Sequence, residues 1–249
     1  MNNIFLIIVF FLVIVISVAV AKRYDFTNLQ AIIYAPILFT LAVFLSKLAY
    51  FIDYGSWGGK YAYGAYLLMP IAIIPVCAIL KIKYLRGADL AALLSIFLMV
   101  FGKLDCMMNA CCTGIELFQL DSGTIIYFPS RTLESLTALA MSIIFYKLNL
   151  KIKHRGLIYG YFLIIYGIQR SFFEYFRIDI PEFRFGVQVA YLWCSVCIIF
   201  GILWLILMPI YKKKSVKFQA QIENEEAEIK LNKIRKNKEK QANQKSKSQ

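Results

Sequence analysis

Residues 4 to 21 read IFLIIVFFLVIVISVAVA, a stretch without charge in which one serine is the only polar side chain. A helix needs roughly 17–25 mostly apolar residues to cross the hydrocarbon core of a bilayer. This stretch is long enough, and it therefore predicts a membrane-spanning helix. Lys22 and Arg23 follow the apolar run and no basic residue precedes it, which is the reverse of a cleaved signal peptide, so we expect the helix to be retained.

Six further segments share this length and apolar character. They are residues 31–51, 61–80, 89–107, 133–150, 156–175 and 187–210. The chain is 60% hydrophobic, with a mean hydropathy of +0.63, and the alternation typical of barrel strands is absent. Backbone groups in lipid must be satisfied within a helix or a closed barrel. The sequence therefore predicts an all-α, polytopic membrane protein with seven transmembrane helices.

Basic residues are concentrated in alternate connections between these segments. On one side lie Lys22, Arg23, Lys81, Lys83, Arg86, Lys147, Lys151, Lys153 and Arg155, together with the tail after the seventh segment. Short basic loops stay in the cytoplasm. The distribution predicts that the N-terminus is outside and the C-terminus is cytoplasmic.

Residues 212–249 differ in composition from the transmembrane domain, residues 1–211. The tail contains twelve Lys or Arg and five Glu, or +7 of the net +13, which leaves +6 for the rest. We expect a basic cytoplasmic tail, partly helical or disordered, whose first lysines attract anionic headgroups. Nucleic-acid binding is not predicted, because the positive-inside rule already explains such a tail.

Charged residues near the end of the sixth segment form a regular pattern. Arg170, Glu174 and Arg177 are at positions i, i+4 and i+7, and hence share one helix face. Charge near membrane depth is costly and usually marks a site. The three could form an intrahelical ion network. Alternatively, the surplus positive charge could bind a phosphate, which Arg can hold bidentately.

A second polar cluster, residues 102–114, follows the fourth segment. If this helix continues past Gly102, Lys103 and Cys106 share a face and Asn109 lies to one side. Glu134 falls in the first turns of the fifth helix, where either the helix dipole or a functional role would explain a carboxylate.

Three cysteines, Cys106, Cys111 and Cys112, lie in that cluster. An external disulfide from Cys106 and free buried thiols are both open. A zinc site is not predicted, because no histidine is nearby. Tyrosines and glycines gather in residues 53–66, where the aromatics suit headgroup depth and the glycines allow either a turn or the close approach of a headgroup or helix.

In this order, the segments resemble the prolipoprotein diacylglyceryl transferase family, seven-helix bacterial enzymes that move diacylglyceryl from phosphatidylglycerol to the lipobox cysteine of a prolipoprotein. The resemblance covers about residues 55 to 205. Its most specific part is Arg155-Gly-Leu-Ile-Tyr-Gly160 followed by Tyr166-Gly-Ile-Gln-Arg-Ser-Phe-Phe-Glu-Tyr-Phe-Arg177. Gly102 to Gly114 is similar to the family signature, Gly-Arg-x-Gly-Asn-Phe-x-Asn-x-Glu-x-x-Gly.

The resemblance carries roles onto matching residues. Arg170 and Glu174 match residues that the family needs for activity, and Lys103, Asn109 and Gly114 stand at the signature's arginine, second asparagine and final glycine. Several positions depart from the pattern: Asp105, Cys106 and Cys111 occupy the signature's glycine, first asparagine and glutamate, Tyr63 before Gly64 replaces a histidine, and Phe128 stands where the family often has histidine before Pro-Ser.

The resemblance implies transfer of diacylglyceryl at the outer face of a bacterial plasma membrane, with phosphatidylglycerol and a prolipoprotein signal peptide as partners and no metal or cofactor. It implies catalytic roles for Tyr63, Arg170 and Glu174. Implied substrate-binding residues are Lys103, Cys106, Asn109, Cys111, Gly114, Arg177 and Gly64. Two alternatives are a catalytically inactive phospholipid-binding relative and a membrane thiol or acyl-transfer protein using Cys106, Cys111 and Cys112.

Overall fold

The fold is described by a computed structural model for residues 3–58, 61–108, 114–120, 124–151, 156–177, 183–184 and 187–211. Within these ranges it is mostly helical. The helices are α1 (Asn3–Val20), α2 (Asn28–Tyr54), α3 (Ala62–Ile79), α4 (Tyr84–Met108), α5 (Ser130–Lys151), α6 (Leu157–Tyr175) and α7 (Val189–Tyr211), and a 3-10 turn, Ala21–Tyr24, follows α1.

Each of the seven predicted segments coincides with one of these helices. Five stretches are long and apolar enough to cross a membrane: Ile7–Tyr24, Asn28–Tyr54, Ala62–Ile79, Tyr84–Leu104 and Val189–Tyr211. The helices α5 and α6 are not among them, and both contain charged residues. The protein is therefore a multi-pass membrane protein, while the count of seven spans and their orientation stay predictions.

The chain divides into two compact units, Met1–Leu205 and Ile206–Gln249. In the second unit, the described residues are 206–211, the end of α7. The predicted basic tail, residues 212–249, lies outside the described residues. The first unit contains the predicted site residues.

Helix α4 forms the centre of the first unit. It packs against α1, α3, α5 and α6. Its middle is fully buried, at Leu90, Leu93, Leu94 and Ile96. A helix that is apolar all round is suited to such a position, because every face meets another helix rather than water.

Glycines allow α6 and α7 to approach each other closely. A Cβ on Gly167 would lie 2.8 Å from the carbonyl oxygen of Cys194, and a Cβ on Gly201 would lie 2.8 Å from that of Gly160. Helices in membranes pack through such small residues because lipid itself supplies no hydrophobic force between them. The close packing brings the first turns of α7 against the last turns of α6.

The start of α6 is held by a buried carboxylate from α4, an arrangement we call the Asp89 cap. The Asp89 side chain is 1% exposed, and its oxygens accept hydrogen bonds from the backbone N–H groups of Gly156 (2.7 Å) and Tyr159 (3.3 Å). The indole Nε1 of Trp204 donates to the Gly156 carbonyl at 2.6 Å. The two bonds to Asp89 satisfy backbone N–H groups that a helix start leaves open.

Four short strands, which the sequence did not predict, lie between the helices in the described part of this mostly helical protein. Strands β1 (Glu116–Gln119) and β2 (Ile125–Tyr127) pair antiparallel between α4 and α5. Strands β3 (Phe183–Arg184) and β4 (Val187–Gln188) pair between α6 and α7. Short irregular strands such as these have no strong periodic signal in the sequence.

Candidate functional site

Lys103 comes from α4, which does continue past Gly102, to Met108. Its ammonium group forms an ion pair with the carboxylate of Glu134. Glu134 lies in the first turns of α5, which begins at Ser130 directly after Pro129. Its side chain is 4% exposed, and it pairs with two cations from other helices. A charged partner therefore explains this buried carboxylate better than the helix dipole does.

Arg170 connects α5 to α6 through its guanidinium. Its Nη1 lies 3.0 Å from Oε1 of Glu134, and its Nη2 lies 2.6 Å from Oε2 of Glu174. Nη1 of Arg177 lies 3.0 Å from the same Glu174 oxygen. The predicted intrahelical network is therefore present, and it extends across α4, α5 and α6.

We call these five side chains, Lys103, Glu134, Arg170, Glu174 and Arg177, the charged network. Together they carry three positive and two negative charges, so the network has a formal surplus of +1. The cationic side chains are 11–17% exposed and the carboxylates 4% and 7%. An anion reaching this site would thus meet donors first. Its charge would balance the surplus, and N–H groups of Arg would suit its oxygens.

Three neutral polar side chains also lie near the charged network, and the sequence did not predict that they would. Gln188, in β4 just before α7, approaches Glu174 with its Nε2 3.5 Å from Oε1. Gln169 donates to the Thr137 hydroxyl and, at 3.4 Å, to the Glu134 carbonyl oxygen. Gln169 precedes Arg170 in the resembling motif, but nothing in that spacing indicates that it contacts α5.

Tyr63 and Gly64 lie at the start of α3. The Tyr63 ring stacks on Trp193 of α7, with ring centroids 5.2 Å apart, and also contacts the ring of Tyr61 at 4.6 Å. Tyr63 is buried, and its described ring contacts are aromatic rather than with the charged network. A Cβ on Gly64 would overlap Ala49, so this glycine permits close packing of α3 on α2.

Gly114 lies beside Arg177, to which it is joined by an antiparallel backbone bridge. A Cβ on Gly114 would lie 2.9 Å from the carbonyl carbon of Phe128, so no larger residue fits there without movement. The structure thus brings the end of the predicted signature against the end of α6. The Cys106 side chain and residues Asn109 and Cys111, also predicted to bind substrate, lie outside what the structure describes.

Cysteine and metal chemistry gain no support from the described part of the chain. Cys194 and Cys197 are buried in α7 as free thiols, which agrees with a packing role. No group of three or more His, Cys, Asp or Glu side chains among the described residues could hold a metal ion.

Comparison with known families gives one match. The family model described as prolipoprotein diacylglyceryl transferase matches residues 3–207. This range contains α1 to α6, most of α7 and the whole charged network. The resemblance seen in the sequence is confirmed. The comparison with curated proteins finds no significant match.

Proposed function

This chain belongs to the prolipoprotein diacylglyceryl transferase family, and we propose that it transfers diacylglyceryl from phosphatidylglycerol to the lipobox cysteine of a prolipoprotein. The family acts on prolipoproteins with a membrane lipid as donor. The proposal adds the donor headgroup, the bacterial plasma membrane and the outer face as the place of reaction.

The observation that carries the proposal is the convergence of Lys103, Arg170 and Arg177 from the ends of two helices around two buried carboxylates. The carboxylates hold the cations in place, and the surplus charge attracts an anion. Phosphatidylglycerol carries one negative charge on its phosphate, which matches the formal surplus of +1. The donor headgroup is therefore proposed from charge as well as from family membership.

The proposed reaction forms a thioether and releases a phosphate. The sulfur of the lipobox cysteine, as a thiolate, attacks the glyceryl carbon that bears the phosphate ester. The carbon–oxygen bond breaks, and glycerol phosphate leaves with the bonding electron pair. Because a free thiol has a pKa of about 8.5, the thiol proton must pass to a base, and nearby cations favour the thiolate.

Arg170 and Arg177 are proposed to bind the phosphate, and Lys103 to add a third positive charge. Negative charge grows on the phosphate oxygens as the bond breaks, and fixed donors in a site that excludes water stabilise it strongly. Arg170 is held by carboxylates on both sides, so its donors need little reorganisation when the lipid arrives. We assign it the main role in binding the leaving group.

Glu174 and Tyr63 are the proposed proton acceptors. Glu174 is adjacent to both arginines, where it can take a proton from a thiol that the same cations attract. Tyr63 replaces the family's histidine. A phenol has an ordinary pKa near 10, so it is protonated at neutral pH and can act as a base only if nearby cations favour the phenolate. Gly64, Gly114, Cys106, Asn109 and Cys111 are proposed to line the substrate site.

The test is complementation in bacterial cells depleted of their own transferase and supplied with a lipobox reporter protein. Wild-type chain should raise the reporter mass by one diacylglyceryl unit, and Arg170→Ala should abolish this shift at equal membrane level. Arg86→Ala is the matched control, because Arg86 pairs with Asp25 away from the charged network and should keep transfer. No shift with the folded wild-type chain would reject the transferase proposal in favour of the inactive lipid-binding relative.

The donor is tested separately with purified protein in vesicles. Vesicles that contain phosphatidylglycerol should support transfer to a lipobox peptide, and matched vesicles of phosphatidylethanolamine should not. Equal rates with both lipids would remove the headgroup assignment while leaving the transferase activity in place.

A further inference from the structure

The hairpin formed by β1 and β2 exposes large apolar side chains along both strands. Every residue of β1 is exposed, including Leu117 and Phe118, the latter at 57%. Ile125 and Tyr127 of β2 are also exposed, as is Leu120 after β1. Successive strand residues point to opposite faces, so the ribbon has apolar side chains on both faces.

A surface of this kind is unsuited to bulk water. A two-stranded ribbon alone is marginally stable, and clustered exposed apolar side chains mark a contact surface. The deep hydrocarbon core is equally unsuited, because open strand edges there leave backbone groups without hydrogen bonds. The layer between, at headgroup depth, accommodates apolar side chains and supplies water to strand edges.

The base of the hairpin is attached to the end of α6 beside the charged network. The Ile115 N–H donates to the Phe176 carbonyl at 2.9 Å, and the Phe128 ring stacks on that of Phe176 with centroids 4.4 Å apart. Phe172 and Tyr175 on the same end of α6 are 58% and 72% exposed. The apolar surface of the hairpin thus continues the exposed aromatic surface at the end of α6.

Aromatic residues also gather at the C-terminal end of α2. Trp57, just after α2, is exposed and stacks on Phe51 with centroids 4.6 Å apart, and Tyr50 stacks on Tyr54. Trp and Tyr concentrate at the interface between membrane and water. Glu116 is the only charged residue of the two strands. Neither strand therefore offers a basic side chain that could bind an acidic protein.

We infer that the β1–β2 hairpin lies in the interfacial layer of the bilayer leaflet next to the charged network, with Leu117, Phe118, Ile125 and Tyr127 in contact with lipid. Lipid in contact with the hairpin is then adjacent to Arg177, which is joined by the Gly114 bridge. The hairpin is a membrane contact that goes beyond the proposed reaction and does not depend on it, since an inactive protein would show the same contact.

The experiment places a fluorescent reporter on the hairpin. Phe118→Trp is conservative in shape and should fold. The full-length protein is reconstituted without substrate in vesicles of phosphatidylcholine and phosphatidylglycerol, with a spin-label quencher either near the headgroup or near the end of the acyl chain. Emission of the wild-type protein, which has Trp57, Trp193 and Trp204, is subtracted.

The added emission should be reduced more by the shallow quencher than by the deep one, and should resist iodide in the water. Ile143→Trp is the matched control, because Ile143 is 50% exposed within α5 and should show the opposite depth order if α5 spans the bilayer. Iodide quenching of Phe118→Trp without lipid quenching would overturn the inference. Protection from iodide that requires an added signal peptide would also overturn it, and would identify the peptide as the occupant.

Discussion

The charged network and the Asp89 cap both bury carboxylates, and the contacts described for the two differ. Asp89 accepts hydrogen bonds from backbone N–H groups at the start of α6, whereas Glu134 and Glu174 pair with side-chain cations. Backbone amides cannot move without unwinding the helix. Side-chain cations can exchange part of their contact for a ligand. A buried carboxylate therefore indicates structure or function according to what it binds.

A second difference is the balance of charge. The charged network has a surplus positive charge and cations that remain 11–17% exposed, whereas Asp89 is 1% exposed and meets the positive end of a helix dipole. Among the described side chains, the first arrangement has one cation more than it has carboxylates. The second is complete in the folded protein. This contrast leads to four predictions.

The largest expected effect is from Arg170→Lys, which keeps the charge but removes the planar fork that bridges Glu134 and Glu174. Transfer should fall about a hundredfold, the typical cost of losing one fixed donor to developing charge. The measurement is the initial rate of reporter modification per folded molecule. Arg86→Lys, the same change beside Asp25, should retain the wild-type rate. Equal losses in both variants would contradict the contrast between the two regions.

Asp89→Ala should mainly affect stability. It leaves the N–H groups of Gly156 and Tyr159 buried without their carboxylate acceptor, which costs about 2 kcal/mol in the free energy of unfolding. Thermal unfolding in detergent should show a lower Tm, with transfer per folded molecule unchanged. Asp89→Asn retains one acceptor oxygen and should lose less. A normal Tm with reduced turnover would instead mean that Asp89 contributes to the transfer reaction.

Glu134→Gln should strengthen binding of anionic lipid, because the surplus charge rises from one to two while the side chain keeps its size. The gain should be about 1 kcal/mol, or roughly fivefold in affinity, as expected for a charge change partly screened by water. Native mass spectrometry of the purified protein can count retained phosphatidylglycerol. Weaker retention would mean that Glu134 acts chiefly by positioning Lys103 and Arg170.

The smallest expected effect is from Cys106→Ser. If the cations carry the reaction, transfer should stay within about twofold of wild type, since Ser differs from Cys by one atom and keeps a polar group. If the thiols do the chemistry, activity should be lost. The same reporter assay decides between these outcomes, and it bears on the thiol alternative directly.

The sequence predicted the helices well because length and hydropathy are local properties. Each predicted segment coincides with a helix, although α5 begins at Ser130, three residues before the predicted segment 133–150. The spacing of Arg170, Glu174 and Arg177 likewise indicated contacts that the structure confirms, because four residues make about one helical turn. The order of motifs also identified the family.

The partners of Glu134 were decided by tertiary structure, because Lys103 lies 31 residues before it and Arg170 lies 36 residues after it in the chain. The role of Asp89 was equally hidden, since one of its oxygens accepts from Gly156, the residue before α6, which is 67 residues later. The hairpin, whose strands are short and irregular, was not predicted at all. Helix formation thus depended on neighbouring residues, whereas the site depended on which helix ends the packing of α4, α5 and α6 brings together.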